Sequence, residues 1–89
     1  MQTIWKFPLP ISEPLRVAMP AGATLLTVQM QGEQIVVWGL VDPEAPRIER
    51  RFYLVGTGHA VPPGKPIYLG SVQPFSGLVL HIFDGGEGA

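Results

Sequence analysis

Residues Ala23 to Gly56 read ATLLTVQM-QGEQ-IVVWGLV-DPEAP-RIERRFYLVG, three β-type runs joined by two turn signals. Gly32-Glu33 lies between alternating residues on both sides, which suits a two-residue hairpin with glycine first. Asp42-Pro43-Glu44-Ala45-Pro46 supplies a longer turn, because prolines lack the N–H that a paired strand must donate. The middle run, Ile35 to Val41, is apolar on both faces, with Ile35, Val37 and Val41 on one and Val36, Trp38 and Leu40 on the other. Such a strand is expected to be covered on both sides. The meander is the expected spine of the fold.

Working outward, Gln2 to Phe7 alternates Thr3, Trp5 and Phe7 against Ile4 and Lys6, a strand that Pro8-Leu9-Pro10 is expected to stop. Pro14 opens a run in which Leu15, Val17 and Met19 share one face and Arg16 the other, and Pro20-Ala21-Gly22 turns the chain into the meander. Leu26, Val28 and Met30 read as core in the meander's first strand, opposite Thr27, Gln29 and Gln31. Its third strand places Ile48, Arg50, Phe52 and Leu54 on one face and Arg47, Glu49, Arg51, Tyr53 and Val55 on the other. Charge on both faces near Arg50 predicts an exposed end or a groove.

Gly56-Thr57-Gly58-His59 and a proline-rich connector from Val61 to Pro66 lead to a last hairpin, Ile67 to Gln73 and Leu78 to Phe83, around Pro74-Phe75-Ser76-Gly77. The domain is expected to run from 1 to 84, with 85–89 a disordered tail that has nothing to bury. Ten prolines and eleven glycines leave no uninterrupted window of eleven residues with helical apolar spacing. The reading is all-β: an antiparallel sandwich or partly open barrel of about seven short strands.

A chain of 89 residues has room for one small domain. It is 46% hydrophobic and only 15% charged, against about 25% charged in ordinary soluble domains, and an interface between copies is the natural place for the surplus. A homo-oligomer is therefore expected. The net charge of −1 lacks the basic field that nucleic acid requires. With no cysteine, disulfides, thiolate metal sites and thiol catalysis are excluded. The start, MQTIWKFPLPI, has the character of neither a signal peptide nor a membrane span, so a cytoplasmic protein without membrane contact is expected.

No nucleophile elbow, paired-carboxylate motif or HExxH is present, so neither an enzyme nor a cofactor is expected. His59, His81 and Asp84 are the conceivable metal ligands, but His81 reads as a strand residue and His59 as the end of a turn. Gly56-Thr57-Gly58-His59 is sharper. Glycines one apart let N–H groups point outward toward an anion, with the Thr57 hydroxyl and His59 ring beside Gly58, although a glycine-rich turn without a ligand reads equally well. Arg47, Arg50 and Arg51 form the basic cluster, with a planar fork suited to phosphate and with Tyr53 on the face of Arg47 and Arg51. The alternative is a solvated strand face that Glu44 and Glu49 partly neutralise. Trp5 is a candidate stacking residue, whereas Trp38 lies in the most apolar strand. A cationic strand running into an N–H-rich turn defines a candidate site for an anionic, nucleotide-sized ligand, closed by a second subunit.

The strings Ile4-Trp5-Lys6-Phe7-Pro8-Leu9-Pro10-Ile11, Met19-Pro20-Ala21-Gly22-Ala23, Val28-Gln29-Met30-Gln31, Leu40-Val41-Asp42-Pro43-Glu44-Ala45-Pro46 and Gly56-Thr57-Gly58-His59 together span nearly the whole chain. They resemble a family of small tailed-phage proteins known only as a domain of unknown function. The resemblance implies a phage-encoded protein acting in a bacterial cytoplasm, and it carries no catalytic residues. By analogy of role, small phage oligomers that sequester nucleotide immune signals, such as cyclic ADP-ribose variants or cyclic dinucleotides, suggest an anti-defence binding protein. A protein-interaction module, as a virion accessory part or an inhibitor of a host protein, is the alternative. A hydrolase using His59 and His81 is the more distant one.

Overall fold

The computed structural model describes residues 1–88. Seven strands follow in chain order: β1 (Thr3–Leu9), β2 (Leu15–Pro20), β3 (Thr24–Gln31), β4 (Gln34–Val41), β5 (Arg47–Gly56), β6 (Ile67–Phe75) and β7 (Leu78–Glu87). They form two sheets, a three-stranded one ordered β1-β4-β3 and a four-stranded one ordered β2-β5-β7-β6, with every pairing antiparallel. The sheets face each other as a sandwich and do not close into a barrel.

Period-two alternation builds the core between them. Leu9, Met19, Ile35, Val37, Val41, Phe52 and Ile82 are each buried there. β4 is the centre of the smaller sheet, as its apolar run requires; Val36 on its far face is also fully covered, while Trp38 and Leu40 are half-buried. The sheets approach closely where β6 crosses β3. A Cβ on Gly70 would lie 2.8 Å from the Val28 side chain, so only glycine lets the backbones come this near.

The expected meander does not form: β3 and β4 pair as a hairpin, but the proline turn from Asp42 to Pro46 carries the chain across to the other sheet, where β5 pairs β2 and β7 and not β4. Four further sequence expectations change here. First, β1 does not stop at Pro8: it continues to Leu9, which is buried, because β1 is an edge strand and an edge tolerates a missing donor. Pro74 is likewise inside β6, the edge strand at the other end of the larger sheet, and the hairpin turn shrinks to Ser76-Gly77 with Gly77 at φ 81°.

Second, Leu26 is exposed. A bulge between Leu25 and Thr27 shifts the register, so Leu25 packs against the core opposite Gly39 and Leu26 points away. Third, Arg50 lies neither at an exposed end nor in a groove; it is held against Asp84 between the sheets.

Fourth, the tail is strand. β7 runs through Glu87, with Gly86 opposite Arg51 and Glu87 opposite Arg50. Gly85 is the extra residue of a bulge, and a Cβ there would lie 2.8 Å from the Tyr53 ring and 3.1 Å from the Arg51 Cβ. The segment is held by backbone pairing and by Glu87, whose carboxylate accepts the Gly22 N–H at 2.6 Å, rather than by apolar burial. Gly88 adds a hydrogen bond from its N–H to the Glu49 carbonyl at 2.7 Å. Ala89, the last residue of the expected tail, lies outside the described residues.

Candidate functional site

With Leu15, Phe52, Ile82 and Val72 turned into the core, alternation and register place a second set of side chains on the outer face of the larger sheet. Arg16 lies opposite Arg51 at one end. Tyr53, Phe83 and Tyr68 then occupy consecutive register positions across β5, β7 and β6. The next row is Val55, His81 and Ser71. The face runs from cationic, through aromatic, to polar.

The aromatic row is ordered by packing. Tyr68 and Phe83 meet edge to face, with ring centroids 5.6 Å apart and an interplanar angle of 63°. Beside it runs a continuous hydrogen-bonded chain. The Tyr68 hydroxyl is 2.6 Å from the Ser71 Oγ, which is 2.7 Å from the His81 Nδ1, and the His81 Nε2 is 2.8 Å from the Thr57 Oγ1. Both ring nitrogens of His81 are thus engaged by hydroxyls.

The turn after β5 delivers Thr57 to this chain. His59 donates its N–H to the Gly56 carbonyl at 3.0 Å, and Gly58 at the third position has φ 88°, a conformation that favours glycine. The His59 ring lies against Gly56, where a Cβ would come within 3.1 Å of its Nδ1. Of the turn residues expected at a site, Thr57 reaches the outer face by this chain, Gly58 shapes the turn, and His59 stacks on its own turn.

The three arginines separate. The Arg47 Nη1 donates to the Pro43 and Ala45 carbonyls at 3.2 and 2.9 Å, closing the preceding turn, and its guanidinium lies 5.0 Å from the centroid of the Trp5 ring. Trp5, on the opposite sheet, is therefore a partner of Arg47 and not of Tyr53.

Arg50 is committed to the interior. Its Nε and Nη2 donate to the two Asp84 oxygens at 3.1 and 2.6 Å, and its Nη1 donates to the Ala23 carbonyl at 2.8 Å. Burial pushes the Asp84 carboxyl up, but hydrogen bonds from Arg50 and from the Gly86 N–H outweigh it and hold the group below the ordinary carboxylate range. The hydrogen bond to Asp84 likewise raises Arg50, against the opposing effect of burial. Asp84 is thereby withdrawn from any joint role with the histidines.

Arg51 is the one of the three that faces outward without such a commitment, and its Nε is buried with no partner among the described residues. With Arg16, Glu49 and Gly88 it lines a notch of about 30 Å³. Among the described residues neither Glu44 nor Glu49 lies within ion-pair distance of an arginine. Two larger hollows, of about 310 and 270 Å³, carry carboxylates and no basic side chain: Glu33 beside Leu9 and Ile35 in one, Asp42 and Glu44 with Met1 in the other. Sequence reasoning missed Arg16, Tyr68, Ser71, His81 and Phe83 as members of one face. Strand pairing joins them, and no local motif records it.

These features define a small β-sandwich with one open, mixed aromatic and polar sheet face. The chain belongs to the family described as domain of unknown function DUF7352, whose model matches residues 1–89. No curated protein and no solved structure matches it.

Proposed function

We propose that this protein is a non-catalytic binding protein that holds an anionic, nucleotide-like ligand on the outer face of its larger sheet, with a second copy completing the site. The observation that carries this reading is the row Tyr53, Phe83 and Tyr68, flanked by the Arg16–Arg51 pair and by the Tyr68–Ser71–His81–Thr57 chain. Rings on an open sheet stack on bases, arginines take phosphate, and hydroxyls with an imidazole address base or sugar edges. The face is shallow, so a tightly held ligand needs a second wall, which the apolar surplus of the sequence suits. In the phage setting that the resemblance implies, the role is to sequester a nucleotide-derived immune signal in the host cytoplasm.

The test is native mass spectrometry of protein purified from bacteria with an active nucleotide-signalling defence, followed by calorimetry with the ligand identified. An oligomer carrying a few hundred extra daltons per site is expected. Heat-free titrations with every nucleotide signal sink the reading.

A protein-interaction module is the second reading, favoured by Ile67 and Phe75, which are 66% and 62% exposed on edge strand β6. Strand addition is the weaker form of it. Each of the four edges carries a proline or a bulge: Pro8 in β1, Pro20 in β2, the Leu26 bulge in β3, and Pro74 with two register shifts in β6. A stoichiometric host protein retained from lysate, with no nucleotide bound, is the result that selects this reading.

A further inference from the structure

We propose that the notch between Arg16 and Arg51 seats one terminal phosphate group, so that the ligand of this face is a phosphomonoester of the mononucleotide type rather than a cyclic phosphodiester; this rests on the binding-face reading above. Arg16 and Arg51 are directly opposite each other on adjacent antiparallel strands. Like charges in that position destabilise a sheet unless an anion lies between them. The buried Arg51 Nε adds a second reason, since it has no partner among the described residues and an N–H without an acceptor is costly. Both observations fall on Arg51, which lines the notch together with Arg16.

Size and charge select the group. The notch is small, about 30 Å³, so it takes the exposed oxygens of a phosphate rather than the whole group, and a terminal phosphate presents three such oxygens where a diester presents two. A phosphomonoester carries close to two negative charges near neutrality, matching two guanidinium groups, whereas a diester carries one. Glu49 forms part of the wall and opposes the anion, but the two guanidinium groups leave the seat net positive, so the more highly charged group is still favoured. From Arg51 to Tyr53 is two residues along the strand, about 7 Å. That is the reach of one sugar between a phosphate and its base, which places the base on the Tyr53–Phe83–Tyr68 row.

The experiment is a titration of the intact protein with inorganic phosphate, then with adenosine 5′-monophosphate and its 3′,5′-cyclic diester, followed by NMR of the arginine Nε–H and aromatic signals. Phosphate is expected to shift the Arg51 Nε–H saturably and to compete with the monophosphate, and the cyclic diester is expected to bind more weakly. Arg16→Gln, at an exposed position, is expected to weaken phosphate at least about tenfold, and Glu49→Gln to strengthen it. An Arg51 signal that ignores phosphate, or responds equally in Arg16→Gln, overturns the seat. If the monophosphate shifts the aromatic signals and phosphate does not displace it, the seat falls and the binding-face reading stands. If phosphate binds between the arginines and no nucleotide perturbs the aromatic row, the anion seat stands and the nucleotide reading falls.

Discussion

Arg50 and Asp84 form the most heavily committed polar pair among the described residues, with side chains 13% and 6% exposed. The pair joins β5 to β7, and through the Ala23 carbonyl it reaches the connection that leads into β3. Removing Asp84 takes away the main partner of a buried charge, so Asp84→Ala is expected to cost about 3 kcal/mol in chemical denaturation, the lower end of the range because Arg50 keeps the Ala23 carbonyl, Glu87 at 4.0 Å and some access to water. The pH dependence follows from the lowered Asp84 carboxyl. Its contribution to stability is fully present above the ordinary unfolded carboxylate value of about 3.9 and is lost as pH falls through the folded value. Denaturation midpoints measured down the acid limb should show that loss in the wild type and not in Asp84→Asn. Glycine is equally specific at position 85: Gly85→Ala drives a methyl against the Tyr53 ring and is expected to cost about 1–3 kcal/mol.

At the scale of the strand, the bulge in β3 makes a paired prediction. Leu25 packs against the core and Leu26 is 48% exposed, so Leu25→Ser is expected to lower stability by about 2–3 kcal/mol and Leu26→Ser by less than about 0.5, read from thermal or urea melts. The unshifted alternation of the sequence predicts the reverse order. Much of the fold was legible in the sequence. The two-faced apolar run of β4, the hairpin at Gly32-Glu33 and the break at the prolines after Val41 are all present, but the expected three-stranded meander is not, because β5 crosses to the other sheet. What escaped was register: Leu25-Leu26 offers two equally apolar candidates, and only the partner strand decides between them. The Gly85–Gly88 segment escaped for a related reason. Glycines read as slack, yet here they fit where side chains would collide with Tyr53 and with the Glu49 carbonyl. The site was legible along β5 alone. Arg51, Tyr53 and Thr57 were found by alternation, while their partners on β2, β6 and β7 lie up to 35 positions away (Arg16 to Arg51) and no spacing rule connects them.

For the molecule as a whole, protected edges leave faces and side chains as the surfaces for the proposed association. Ile67 and Phe75 are large exposed apolar groups on β6, the strand that also carries Tyr68 of the proposed binding face. Replacing both with aspartate is expected to shift sedimentation toward the monomer while leaving the folded spectrum intact. The chain from Tyr68 to Thr57 has a consequence of its own. Its three links are shared among three hydroxyls and one imidazole, and a neutral imidazole carries one ring proton. The protons therefore run all one way or all the other. With the proton on Nδ1, Thr57 gives its hydrogen inward and Tyr68 offers one outward; with it on Nε2, the two ends exchange roles. Whatever touches Tyr68 thereby dictates the polarity met at Thr57, several ångströms away, without any atom heavier than hydrogen changing place. A guest that presents acceptors to both ends of this chain forfeits one hydrogen bond, about 1–3 kcal/mol, while one that presents an acceptor and a donor is satisfied in either orientation, each selecting one direction of the chain.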